Sequence, residues 1–250
     1  MINSINIIGS GNVAFHMAKT LSNSGLKVTL YCRSLEPIRS ELKNTEVRVV
    51  KGYDQISKAD LSIICVTDDA ISQLCSNLNA DDKVVHTSGS VGVEVLGRFE
   101  CGGILYPLQT ISKSRRIDLK VVPFLIESQN LDFQNELFEF CLRYLSESCR
   151  LTSSKDRERI HLAAVLVNNF TNHLFAEAES ILSEVNMPLE LLEPLIKETV
   201  KKAMDLGPTN SQTGPAKRGD EQIVKKHSKM FNDEKMKQVY LLMSELIKKS

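Results

Sequence analysis

Asn6-Ile7-Ile8-Gly9-Ser10-Gly11-Asn12-Val13-Ala14 is the stretch from which the fold is read. Three apolar or strand-compatible residues run into a glycine turn, and the turn runs into an amphipathic segment carrying Val13, Met17, Ala18 and Leu21. Gly9 permits a tight turn. Gly11 removes the side chain where a pyrophosphate would approach the backbone, and Ala14 is small enough for a helix to pack on the strand. Unpaired N–H groups and the positive end of the helix dipole then face the phosphates. The spacing alone also fits a purely structural glycine turn. Its position, directly after an apolar strand and before a helix, favours a dinucleotide site formed by Gly9, Ser10, Gly11, Asn12 and Val13.

The rest of the N-terminal half repeats the same alternation. After a second strand at 28–31, strands are predicted over 46–50, 60–66, 83–86 and 103–106, and helical segments over 69–78 and 92–98. Further strands at 121–126 and 148–151 flank a helix at 131–145. This pattern predicts an α/β fold, a Rossmann-type doubly wound and mostly parallel sheet. The pattern changes near Ser153. Residues 155–184 keep a helical period without Gly or Pro, and helices follow over 188–206, 220–231 and 233–249. The expectation is a dinucleotide-binding domain at 1–152 and an all-helical substrate or dimerisation domain at 153–250.

Composition limits the partners. Lys plus Arg equals Asp plus Glu, 31 each, so no global basic field points to nucleic acid. No apolar run approaches the ~20 residues needed to span a bilayer, and the strand starts too early for a signal peptide. Six cysteines lie scattered without metal-ligand or Cys-x-x-Cys spacing. They read as reduced thiols of a cytoplasmic protein, with no metal site.

The cofactor type is read at the end of the second strand, Tyr31-Cys32-Arg33-Ser34. An acidic residue there would bind the ribose hydroxyls of NAD. Arg33 and Ser34 instead offer a cation and a hydroxyl to a 2′-phosphate, so NADP is preferred over NAD. Coenzyme F420, whose phosphate suits the same turn, is the further alternative, and a solvated Arg33 is the plain one. Val66 and Thr67, at the end of the fourth strand, are expected to run along the cofactor. The neighbouring Asp68 and Asp69 read equally well as residues of a helix start.

Ligands of such sheets bind beyond the carboxyl ends of the strands. His86-Thr87-Ser88-Gly89-Ser90 and Tyr106-Pro107-Leu108-Gln109-Thr110 end there, which makes Ser88 and Tyr106 candidates for substrate contact. On the long helix, His161, Asn168 and Asn172 fall within about 20° of one line at 100° per residue. His161, Asn168 and Asn169 are the catalytic candidates, with a structural hydrogen-bonded stripe as the other reading. Gln212-Thr213-Gly214-Pro215-Ala216 leads to Arg218 and Asp220. Arg218 suits a substrate carboxylate, while Asp220 could cap the following helix with Arg218 as its ion-pair partner.

Taken together, these motifs resemble the bacterial Rossmann-like proteins with a helical C-terminal domain of unknown function, labelled NADP or coenzyme F420-dependent oxidoreductases. The residues that carry the resemblance are Gly9 to Ala14, His86 to Ser90, Tyr106 to Thr110, His161 to Ala164 with Val167 to Phe170, and Thr213 to Ala216 with Arg218 and Asp220. More distantly the chain is similar to the 6-phosphogluconate dehydrogenase superfamily, which includes 3-hydroxyacid dehydrogenases, pyrroline-5-carboxylate reductase, ketopantoate reductase and prephenate dehydrogenase. That kinship implies a homodimer through the helical domain and a small-molecule substrate site beside it.

Two departures bear on the chemistry. The catalytic Lys of 3-hydroxyacid dehydrogenases, four residues before an Asn, is replaced by Val165 before Asn169 or Ala164 before Asn168. The His-Pro of prephenate dehydrogenases is Tyr106-Pro107 here. The expected activity is hydride transfer between NADP(H) and a small polar carbonyl, imine or hydroxyacid. The loss of the Lys keeps open a dinucleotide-binding sensor or scaffold without turnover.

Overall fold

The computed structural model describes residues 2–249. Its first element, β1 (Ser4–Ile8), pairs in parallel with β2 (Lys27–Cys32) on one side and β4 (Leu61–Ile64) on the other. β3 (Arg48–Lys51) extends the β2 side. β5 (Val84–His86) and β6 (Gly102–Pro107) extend the β4 side. β7 (Phe124–Ser128) runs antiparallel to β6, and β8 (Cys149–Leu151) is parallel to β7. The eight-stranded order β3-β2-β1-β4-β5-β6-β7-β8 is therefore mostly parallel, as the sequence predicts.

The central strands are buried on both faces, so they read as continuous apolar runs, and the period of two sorts their side chains. Ile5, Ile7, Ile63 and Val85 join one core with α1 (Asn12–Asn23), α2 (Glu36–Leu42) and α4 (Leu131–Tyr144). Ile8, Ile64 and Val84 point the other way. They meet Ile71, Leu74 and Cys75 of α3 (Asp68–Cys75) and Leu96 of a 3₁₀ turn at Val93–Leu96. α2 has no counterpart in the sequence reading. It is one short helix that, among its described side chains, buries only Ile38 and Leu42, spaced i and i+4, which is too little period to detect. The strand expected at 121–126 begins later, at Phe124, because Leu119–Val121 forms a 3₁₀ turn started by Asp118 Oδ1 on the Lys120 N–H.

The chain divides into two compact units, 1–172 and 173–250. The change of sequence pattern at 152/153 lies ahead of this division because the start of α5 (Ser154–Val165) is tied to the sheet. Arg157, 1% exposed, pairs with Glu127 of β7 and donates to the Val91 carbonyl. After α5 the helix opens into a π-turn, Leu166–Phe170, and continues as α6 (Thr171–Ser183). The second unit also contains α7 (Glu193–Leu206), the single turn α8 (Pro208–Ser211), α9 (Glu221–Ser228) and α10 (Glu234–Lys249). Among its described residues only Ser228 is buried. Its apolar stripes, including Ile181, Val185, Leu242 and Leu246, are exposed. No helix among the described residues is long and apolar enough to cross a membrane.

Candidate active site

The strand order reverses between β1 and β4, and the crevice beyond their carboxyl ends is the expected ligand position of such a sheet. Gly9 follows β1 with φ +130°, and its N–H donates to Tyr31 O at 2.9 Å. A Cβ at Gly9 would stand 2.1 Å from the Cys65 carbonyl oxygen, so the turn lies against the end of β4 and admits no other residue. Gly11 differs. A Cβ there would meet nothing within 4 Å, so the missing side chain leaves open space in front of the backbone. No side chain caps α1, and its first turn holds no acidic residue. Its leading N–H groups are thus left to an anion, and a pyrophosphate fits this cradle.

A cavity of about 950 Å³ opens from this turn. Gly9, Ser10, Gly11, Asn12 and Val13 line it, together with Arg33, Val66, Thr67, Ser88 and His161. Ser34 is exposed and is not among the lining residues. Thr67 precedes α3 without a side-chain cap bond, and Asp68 and Asp69 occupy the first turn of that helix. Tyr53 and Asp54, just past β3, also line the cavity, as do Gln109 and Ile111. Sequence reasoning missed Tyr53 and Asp54, because a loop after an edge strand carries no motif of its own. Burial raises the Tyr53 phenol above its ordinary pKa, and the Arg33 cation partly offsets this. Cys65 lines the cavity too, but burial pushes its thiol up to about 12, so it is no thiolate nucleophile.

His161 of α5, which lines the same cavity, meets Tyr106 of β6, with Nδ1 and Oη 2.9 Å apart. The rings stand edge to face, centroids 5.8 Å apart. Gly89 makes this approach possible. A Cβ there would fall 2.6 Å from His161 Nδ1 and 2.9 Å from Tyr106 Cζ. Burial raises the Tyr106 phenol, with the Arg157 cation acting the other way, so the hydroxyl keeps its proton at neutral pH.

The nearby polar groups divide sharply. Ser88 is buried, and its Oγ accepts the Ser90 and Val91 N–H groups at 3.1 and 3.0 Å. His86 is fully buried and turned inward. Nδ1 accepts the Ser88 N–H, and the other ring nitrogen lies 3.4 Å from Gly92 O. Desolvation depresses its pKa to about 4, leaving a neutral structural histidine.

The alignment drawn along the long helix holds for only part of its length. The π-turn inserts one residue, which slips the phase by about 100° before Asn172. Asn172 is exposed. Asn168 Nδ2 lies 3.5 Å from Asn169 Oδ1 within the π-turn, and neither lines the cavity. In the second unit, Asp220 caps α9 by accepting the Ile223 N–H at 3.2 Å. Arg218 is exposed, and no ion pair with Asp220 forms among the described residues.

A doubly wound sheet with an uncapped helix at its switch point defines a dinucleotide-binding fold of the Rossmann type. Comparison with known proteins gives the particular family. Residues 4–88 match the NADP oxidoreductase, coenzyme F420-dependent, family, and residues 122–247 match the domain of unknown function DUF2520. The chain belongs to the proteins that join these two domains. A Bacteroides fragilis protein described provisionally as an NADP oxidoreductase is 33% identical, with a TM-score of 0.89 over 100% of this chain and 99% of that one.

More distant solved structures share the fold. An imine reductase from Myxococcus stipitatus in complex with NADP+ is 16% identical, with a TM-score of 0.69 over 98% of this chain and 93% of that one. A reductive aminase from Aspergillus terreus in complex with NADPH and ethyl levulinate is 14% identical, with a TM-score of 0.66 over 88% and 78%. The chain matches no curated protein.

Proposed function

We propose that the protein is an NADP-dependent oxidoreductase acting on a small polar carbonyl or imine, or on the corresponding hydroxy acid or amine in reverse. The observation that carries this reading is one cavity lined by the glycine turn, Arg33 and His161, with Tyr106 hydrogen-bonded to that histidine. The open backbone at Gly11 and the free first turn of α1 suit the pyrophosphate. Arg33 suits the 2′-phosphate, and Ser34, Val66 and Thr67 stay in the proposal as flanking cofactor contacts. When bound, the reduced nicotinamide supplies a hydride.

The chain supplies orientation and a proton. In the imidazolium form of His161, Nδ1–H donates to Tyr106 Oη, and the remaining ring N–H is available to the oxygen or nitrogen that gains negative charge. Ser88 keeps a hydroxyl hydrogen for a substrate acceptor, although its lone pairs already hold the turn. Arg218, exposed and without a side-chain partner among the described residues, suits a substrate carboxylate. Asn168 and Asn169 stay as candidates only for a conformation in which the π-turn rewinds. Among its described residues the second unit has no buried apolar core, which supports a homodimer that covers its stripes with a second copy. A sedimentation mass equal to one chain would contradict this.

The test is a fluorescence titration with NADPH, NADH and coenzyme F420, repeated on Arg33→Ala and Asp54→Ala. NADPH preference that disappears in Arg33→Ala supports the reading. Preference for NADH that depends on Asp54 assigns the ribose diol to that carboxylate instead. Turnover is then sought over a panel of carbonyls, imines and hydroxy acids. Tight NADPH binding without hydride transfer to any of them would favour a dinucleotide-sensing protein.

A further inference from the structure

A second cavity, about 1080 Å³, lies between α1, the end of α4 and the 113–120 segment. It shares no lining residue with the dinucleotide cavity. Six basic side chains line it, Lys19, Lys113, Arg115, Arg116, Lys120 and Arg143, against two acidic ones, Asp118 and Glu147. The chain as a whole is neutral, so this is a local concentration of charge.

The bland reading is a set of solvated cations, each neutralised nearby. Among the described residues only Lys113 of the six has a carboxylate partner, Glu41 at 2.8 Å. Arg143 lies in the last turn of α4, where the helix dipole favours a cation. Lys120 sits likewise in the last turn of the 3₁₀ helix Leu119–Val121, but that account fails for Lys19, Arg115 and Arg116. α1 has no basic residue in its last turn, and Arg115 and Arg116 lie in irregular chain. Like charges gathered around a concavity repel one another and raise the local concentration of anions. The wall is also ordered. His16 is 6% exposed, with Nε2 3.0 Å from the Ser112 carbonyl, and Lys19 and Lys113 each lie 6.0 Å from the Phe15 ring centroid.

We infer that this cavity binds a small molecule bearing two or more phosphates. Its volume lies just above the range of small-molecule sites, about 300–1,000 Å³, so it has room for a ligand of nucleotide size. Adjacent arginine forks suit phosphate oxygens bidentately, and the excess of cations calls for more than one negative charge. The two cavities share no lining residue, but the Lys113 N–H meets Asn12 Oδ1 of the glycine turn at 3.4 Å, so the site is tested with the dinucleotide cavity filled.

The test is calorimetric titration of the full-length protein, saturated with NADPH, with inorganic pyrophosphate. Parallel arms use ADP and AMP. Saturable binding at low salt, weakened about tenfold or more in Arg115→Glu/Arg116→Glu, is the expected result. Tighter ADP than pyrophosphate binding assigns a nucleotide, and equal binding assigns the phosphates alone. Absence of saturable pyrophosphate or ADP binding overturns the inference. So does undiminished binding by the charge-reversed variant at an unchanged melting temperature.

Should NADPH itself fail to bind, the titration is repeated without it on the same variants and on Arg33→Ala. Loss with Arg115 and Arg116 then marks this cavity. Dependence on Arg33 alone marks the glycine turn and refutes the second site. The inference is thereby separated from the assignment of the dinucleotide.

Discussion

Replacing Arg157 with methionine tests how the catalytic candidate is held. Arg157 lies in the first turn of α5, one helical turn before His161, and is 1% exposed. Its guanidinium pairs with Glu127 and donates to Val91 O, and Ser154 Oγ donates to the same Glu127 oxygen at 2.7 Å. Ser154 Oγ in turn accepts the Val93 N–H at 3.1 Å. The network joins α5 to β7 and to the loop after β5, which carries Gly89. Methionine fills most of the volume but leaves the Glu127 carboxylate, whose side chain is 15% exposed, without its cation.

Removing one partner of a buried pair costs about 3–5 kcal/mol, whereas replacing both with apolar groups is far less harmful. Arg157→Met should therefore lose about 3 kcal/mol or more in urea denaturation followed by circular dichroism. Arg157→Met/Glu127→Leu should recover most of that loss. A single-variant loss below about 1 kcal/mol, the level of an exposed pair, would refute the anchoring argument. A double variant no more stable than the single would refute it equally.

Other expectations follow from the same geometry. Gly9→Ala should prevent folding or destabilise by several kcal/mol, because its Cβ would strike the Cys65 carbonyl at a positive φ. Gly11→Ala should fold with a melting temperature close to the parent and bind NADPH much more weakly; equal NADPH affinity would remove the phosphate reading. Gly89→Ala should push the Tyr106–His161 pair apart, cutting turnover about tenfold or more while dinucleotide affinity holds. An unchanged rate would show that this pair is not used. Stability should also fall on acidification. The folded pKa of His86, about 4, lies below its ordinary 6.5, so the unfolded chain binds more protons between those values. The contribution is intact above about pH 6.5 and lost by about pH 4, on the order of 3 kcal/mol. Urea midpoints across that range should show a fall that is smaller in His86→Gln.

The sequence by itself determined the glycine turn, the alternation that makes a mostly parallel sheet, and the helical second half. Each of these is local. A strand buried on both faces must be continuously apolar, and a tight turn against a neighbouring strand must be glycine. The sequence also marked Arg33, Tyr106 and His161. The tertiary structure decided how such residues are used. Tyr106 and His161 are far apart in the chain, and only the position of α5 on the sheet, fixed by Arg157 and admitted by Gly89, brings them to 2.9 Å.

The same holds for the polar residues that look alike in the sequence. His86 and Ser88 sit at the end of a strand in either reading, but burial turns the histidine inward and commits the serine oxygen to its own turn. The amide stripe on the long helix assumed a constant 100° per residue, and a π-turn displaces Asn172 from it. Tyr53 and Asp54 sit in a loop after an edge strand and carry no motif, and the 113–120 cations gain their meaning only where the fold sets them against Lys19 of α1 and Arg143 of α4. Local periodicity is written in neighbouring residues, whereas convergence is a property of the folded chain.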